Sequence, residues 1–380
     1  MAATTSQIIG GMFGRECCVV PRIAAASLDS SRANERFTTG NTGNAAGDRE
    51  PFAMQAPWRA AEPGSRTLLF ANARSAIDTV VDLLRPPHIW LPSYLCESLV
   101  HAACDRLQIQ PNFYAIDESL RIADQRWLEQ LRLGDMVVFV SYFGFPFDVS
   151  YAQAAQERGA WVLEDACGGM FRHAYPTIAD FVVSSPRKFV GVVDGGVLSF
   201  RAGIDLDWPV LQEPPAAWLQ RATEAHVARS RFDEGHGERD WFTQFQTVEA
   251  TQPCGHFSIS RDSSAELDTI DYAAVATRRR ANYRLLLEYL SPWAMAKQLP
   301  PDVVPLGFPI RVPDRNALLK RLYAAQIYAP VHWPLCNTVP QEHEASWRLS
   351  ESLLTVPCDQ RIATDRMAEV GEIVRKELQR

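Results

Sequence analysis

The sequence predicts an α/β protein: a large domain built on a mainly parallel, seven-stranded sheet, followed by a smaller C-terminal α/β domain. Three observations carry this. From residue 67 short apolar runs alternate with helix-length amphipathic segments, the pattern of βα units. The alternation breaks at 206–262, where Pro209, Pro214 and Pro215 open a polar stretch containing Trp and Arg, and then resumes. At 380 residues the chain has room for two domains and a large core.

Taken in order, residues 1–65 form an N-terminal arm. Within it, about 27–50 are rich in Ser, Asn, Thr and Gly and too poor in apolar groups to offset the entropy of ordering, so a flexible insertion is expected. The large domain covers 66–262. Its expected strands are Thr67–Phe70, His88–Leu91, Pro111–Ile116, Met136–Ser141, Trp161–Leu163, Phe181–Ser184 and Val197–Phe200. The helices between them are expected at Arg74–Leu84, Ser98–Leu107, Gln125–Leu131 and Val149–Glu157. Residues 206–262 read as helices on a connecting arm that acts as a hinge. The small domain, 263–380, should hold a helix from Ile270 to about Leu290, a strand near Gly307–Val312, a helix Arg315–Ala325, a strand Ile327–Val331 and a last helix Asp365–Leu378.

Charge and composition exclude several functions. A net charge of −7 without any basic stripe argues against nucleic acid. No apolar run reaches the ~18 residues of a membrane span, and the N-terminus lacks a signal-type start, so a cytoplasmic location is expected. The eight cysteines show no Cys-x-x-Cys or paired-His spacing, which argues against a metal site and reads them as reduced thiols, with Cys167 the one to watch. No Gly-x-Gly-x-x-Gly follows an expected strand, which disfavours a nicotinamide enzyme. Lysine is scarce: Lys188, Lys297, Lys320 and Lys376 are the whole set.

Two segments carry chemistry. Trp161-Val-Leu-Glu-Asp brings Asp165 to the carboxyl end of a strand, the edge where open α/β sheets bind ligands. Read alone, Asp165 is equally a helix cap. It also suits a carboxylate that keeps the pyridine nitrogen of pyridoxal phosphate (PLP) protonated. Ser185-Pro-Arg-Lys188 then sets a lysine in a tight loop before Asp194-Gly-Gly, between two buried strands. A desolvated lysine there has a depressed pKa and can form a Schiff base with an aldehyde, while the glycines let backbone approach a cofactor. The competing reading of Lys188 is a snorkelling surface residue. Asn72-Ala-Arg-Ser-Ala-Ile, after a strand and opening a helix, offers a phosphate its amides and the Arg74 and Ser75 side chains.

Together these segments resemble the DegT/DnrJ/StrS family of PLP-dependent aminotransferases, which have fold type I, that of aspartate aminotransferase. The resemblance runs from about residue 66 to the end and also rests on Leu91-Pro-Ser-Tyr, Ile116-Asp-Glu-Ser-Leu-Arg-Ile, Ser141-Tyr-Phe-Gly-Phe-Pro, Glu164-Asp-Ala, Ile327-Tyr-Ala-Pro-Val-His-Trp-Pro and Leu353-Leu-Thr-Val-Pro. It implies Lys188 and Asp165 as catalytic residues, and Ala73, Arg74, Ser75 and Ser185 around the cofactor phosphate. Tyr94 is implied as the ring stacked on the pyridine, although the family's aromatic often aligns at Cys96. His332 and Trp333 are implied on the substrate side, and a homodimer as the assembly. Two departures weaken a nucleotide-sugar substrate: Gly168 stands where the family often has Gln or His, and the Asn-x-Arg-Met segment is missing. The function expected is transfer of an amino group from an amino-acid donor to a carbonyl acceptor in a biosynthetic pathway. The alternatives are another PLP reaction (lyase, racemase or condensing enzyme) and a non-catalytic relative.

Overall fold

The computed structural model describes residues 9–10, 56–60, 64–171, 178–236, 238–335 and 337–380, so the 27–50 segment lies outside the described residues. Numbering strands and helices separately along the chain gives β1 (Ile9–Gly10), β2 (Arg66–Phe70), α1 (Ala73–Leu84), β3 (Ile89–Pro92), α2 (Glu97–Cys104), β4 (Asn112–Tyr114), β5 (Met136–Val140), α3 (Val149–Glu157), β6 (Trp161–Asp165), β7 (Phe181–Ser184) and β8 (Gly196–Phe200). The rest of the chain adds α4 (Ala216–Asp233), α5 (Trp241–Ala250), α6 (Arg261–Leu267), α7 (Tyr272–Leu290), β9 (Phe308–Arg311), α8 (Arg315–Ala324), β10 (Ile327–Tyr328), α9 (Glu344–Ser352), β11 (Leu353–Val356) and α10 (Thr364–Leu378).

Seven strands form one sheet in the order β2-β8-β7-β6-β5-β3-β4. Only β8 runs against its neighbours; β7, β6, β5, β3 and β4 are mutually parallel. The expected fold class is therefore the one observed. Strands β5, β7 and β8 are buried along their whole length, as continuous apolar runs covered on both faces should be. A large core forms around this sheet, and a second one unites α7, α8, α10, β9 and β11 through residues such as Tyr283, Phe308, Ile310, Leu354 and Met367. β11 pairs antiparallel with β9, and β10 pairs in parallel with the short β1.

Some expectations fail locally. Gln125–Leu131 is only a 3-10 turn, Arg126–Gln130, and Ile327–Val331 shrinks to two residues because the chain turns off at Ala329-Pro330. The structure adds α6, α9 and β11. Helix α9 carries no apolar stripe because it buries small hydroxyls: Ser346 bonds the Ser93 hydroxyl at 2.8 Å and Ser350 accepts from the Leu335 N–H at 2.9 Å. Residues 206–262 are not a bare connector. α4 and α5 pack together, with the Trp218 indole donating to the Val248 carbonyl, and a small core of Val193, Trp218, Ala222, Ala225 and Val248 fixes them to the loop before β8.

Candidate active site

The carboxyl edge of the parallel strands assembles the site. β6 ends on Asp165, and its neighbour β7 runs into Ser185 and the 3-10 turn Pro186–Lys188. One strand further, β8 begins at Gly196, paired with Phe70 at the end of β2. The turn into α1 therefore lies against the start of β8. A Cβ at Gly196 would sit 2.2 Å from the Asn72 carbonyl carbon, so only glycine lets these backbones meet. The glycine pair was expected to make room for a cofactor; here Gly196 makes room for the chain's own turn. Gly195, at φ +145°, donates its N–H to the Ala71 carbonyl, while Asp194 anchors the loop by accepting from the Ser260 N–H and hydroxyl.

These elements surround a cavity of about 740 Å³. Asp165, Lys188, Ser185, Ala73, Arg74, His332 and Trp333 all line it. Asp165 is oriented by the Cys167 N–H, which donates to its Oδ1 at 2.9 Å. Burial pulls the Lys188 ammonium down, but the nearby Cys167, Asp165, Cys96 and Glu249 outweigh it and hold the amine above its ordinary value. The direction is opposite to the depressed pKa expected of this lysine, because thiols and carboxylates share its pocket. His332 behaves oppositely. Burial and the nearby Lys188 charge lower its pKa to about 3, so its imidazole is neutral, with Nδ1 2.9 Å from the Thr355 hydroxyl.

At the start of α1, Asn72 caps the helix by accepting from the Ser75 N–H at 2.9 Å. Among the described residues the N–H groups of Ala73 and Arg74 have no protein acceptor, and neither does the Ser185 hydroxyl. A helix N-terminus with free amides beside a hydroxyl suits an anion. Arg74 itself is turned to the arm, donating to the Gln252 side chain and the Glu249 carbonyl.

Two expected residues stand apart. Ser75 does not line the cavity: its N–H is spent on the cap and its hydroxyl donates to the Pro253 carbonyl at 3.3 Å. Tyr94 does not line it either. Its hydroxyl donates to the His332 carbonyl and accepts from the Trp333 N–H at 3.0 Å, and its ring packs on Tyr142 and Trp333. Cys96 occupies the wall instead, together with Cys167, so Tyr94 braces the His332–Trp333 segment rather than offering a face to a ligand.

The arm supplies wall residues that sequence reading did not single out: Arg229, Arg239, Trp241, Phe242 and Glu249. Glu249 pairs with Arg187, the residue before Lys188. The signal available was the density of Trp and Arg in 206–262; its partner residues lie more than sixty positions away. Cys96, Cys104, Cys167, Cys254 and Cys358 are free thiols, Cys254 exposed rather than in the core, and no metal-ligand cluster occurs among the described residues. No described helix is long and apolar enough to cross a membrane.

Comparison with known proteins defines the class in structural terms. No family model and no curated protein matches the chain. Solved structures do. The chain resembles the aminotransferase TlmJ from Streptoalloteichus hindustanus, with 21% identity, a TM-score of 0.60, and 82% of this chain and 86% of that one covered. It also resembles the PLP form of the putative sugar aminotransferase Spr1654 from Streptococcus pneumoniae (13%, TM-score 0.62, 82% and 87%). A DegT/DnrJ/EryC1/StrS aminotransferase from Brucella abortus aligns at 14% identity, with a TM-score of 0.56 over 83% and 86% of the two chains. The fold of this chain is the one these aminotransferases share.

Proposed function

We propose that this chain is a PLP-dependent aminotransferase that passes an amino group from an amino-acid donor to a small carbonyl acceptor in a biosynthetic pathway. One observation carries the reading: a lysine and a carboxylate on adjacent strand ends share a cavity with the free amides of a helix N-terminus. Those are the three grips that PLP needs, at its aldehyde, its ring nitrogen and its phosphate. The fold shared with TlmJ and the PLP form of Spr1654 supports the same choice.

When bound, PLP supplies an electron sink for charge developing at the substrate carbon. The rest is done by side chains. Lys188 would hold the cofactor covalently and, once released, carry a proton to and from the reacting carbon. Asp165, fixed by the Cys167 N–H, would keep the ring nitrogen protonated. The Ala73 and Arg74 amides and the Ser185 hydroxyl would bind the phosphate. Neutral His332 and Trp333 form the wall that a substrate would meet.

The purified protein given PLP should develop a visible absorbance band that borohydride traps as a fixed mass increment on Lys188. Lys188→Ala should lose both band and increment. Covalent cofactor retained by Lys188→Ala would falsify the assignment. The reading also carries a homodimer in the cytoplasm; light scattering should return about twice the 42.5 kDa chain mass.

A further inference from the structure

The residue that follows Lys188 is held from outside the large sheet. Within the turn that carries the lysine, the Lys188 and Phe189 N–H groups donate to the Ser185 and Pro186 carbonyls, at 3.1 and 2.8 Å, so these donors are satisfied locally. The Phe189 carbonyl is taken instead by two side chains from α7 and the loop before α10, elements that build the second core. Gln360, in that loop, donates to it through its side-chain amide at 2.7 Å, and Arg279 of α7 adds a longer contact of 3.4 Å. The Arg279 guanidinium also lies over the Phe189 ring, 4.7 Å from its centroid.

Gln360 is itself aimed. Its amide oxygen accepts from the Arg279 Nε at 2.9 Å, which leaves the amide nitrogen for Phe189. Arg279 is 1% exposed, and its Nη1 donates to the Pro305 and Leu306 carbonyls at 3.1 and 3.0 Å. A guanidinium that gives up water for several fixed acceptors has little freedom to swing, so it acts as a rigid fixture. From the same helix, the Asn282 amide donates to the Asp359 and Ile362 carbonyls, each at 3.0 Å, and pins the loop. Three consecutive loop residues then serve three parts of the site: Asp359 lines the cavity, Gln360 grips the Lys188 turn, and Arg361 reaches Asp233 of α4 at 3.7 Å. Such expenditure of buried polar groups on the neighbour of a reactive amine is what precise orientation requires.

We propose that Gln360, aimed by Arg279, is a positioning residue for Lys188: by fixing Phe189 it sets where the amine points within the cavity. This rests on the aminotransferase reading only for what the amine then does; the fixing itself needs no cofactor.

The test uses two variants of Gln360, which is partly exposed. Gln360→Glu keeps the acceptor for Arg279 and removes the donor to Phe189, and Gln360→Met removes both without adding charge. Both should keep the wild-type circular dichroism. In cofactor-free protein, reductive methylation by formaldehyde is followed by peptide mass, with Lys297, Lys320 and Lys376 as internal references. Relative to these, the Lys188 rate should rise about threefold or more in both variants, because a released amine samples more of the cavity. The second readout compares PLP with pyridoxine phosphate, which has an alcohol in place of the aldehyde and so reports anchoring without attachment. Growth of the visible band should slow roughly tenfold or more, while pyridoxine phosphate affinity, read by tryptophan fluorescence, stays within about twofold of wild type. A Lys188 methylation rate or band growth equal to wild type, a change confined to Gln360→Glu, or a parallel loss of pyridoxine phosphate affinity overturns the proposal. A wild-type protein that never develops the band overturns the cofactor reading alone, and the methylation rates still decide this one.

Discussion

Asp165 and Glu164 are neighbours with opposite fates, set by the alternation of a strand. Glu164 faces inward, 2% exposed, accepting from the Ser141 hydroxyl at 2.6 Å, while Asp165 reaches the cavity with one oxygen already held by backbone. Asp165→Asn keeps the size and removes the charge. The variant is expected to retain covalent cofactor on Lys188 yet lose roughly a hundredfold or more in the rate of amino transfer from a donor, read as the decay of the visible band in single turnover. Loss of cofactor attachment as well would mean that the carboxylate holds rather than activates. That Asp165 and Lys188 meet at one cavity was readable from sequence because each signal is local: a charge at a strand end and a lysine in a glycine-flanked loop, in a chain with few lysines. The place of Tyr94 was not legible, because nothing near it in sequence reveals that its hydroxyl is captured by residues 332 and 333.

At the scale of elements, the α4–α5 arm and the α1 turn act as one unit. Arg187, 8% exposed, leans on Glu249, and the next stretch of the arm holds the α1 turn: Gln252 and the Glu249 carbonyl accept from Arg74, and the Pro253 carbonyl accepts from Asn72 at 2.7 Å. Glu249→Gln should leave the Arg187 guanidinium buried without its counter-charge. We expect a loss of about 1–3 kcal/mol in urea unfolding and weaker retention of PLP on dialysis. Unchanged stability and retention would show that the arm is a passive cover. The helices of this arm were visible in sequence as a break in alternation, but not their destination. Its role as cavity wall comes from contacts across more than sixty residues, and no pattern along the chain encodes those.

For the molecule as a whole, the balance of charge sets a pH response. His332 has a folded pKa of about 3 against an ordinary value near 6.5, so between these values the unfolded chain binds the extra proton. Stability should therefore be fullest above about pH 6.5 and fall as the pH drops toward 3. His332→Gln should flatten that limb of the stability curve measured by urea titration between pH 4 and 7. An identical slope in the variant would assign the acid sensitivity to the carboxylates.

The α/β class, the seven strands of the large sheet, the long helices and the placing of Asp165 and Lys188 after neighbouring strands were legible along the chain, since hydrophobic period and turn chemistry act within a few residues. Packing decided that α9 forms around buried serines, that Gly196 serves the α1 turn, that Tyr94 is a brace, and that arginines of the arm line the cavity. Each of those depends on which distant surface a side chain meets, and that is set only when the layers pack.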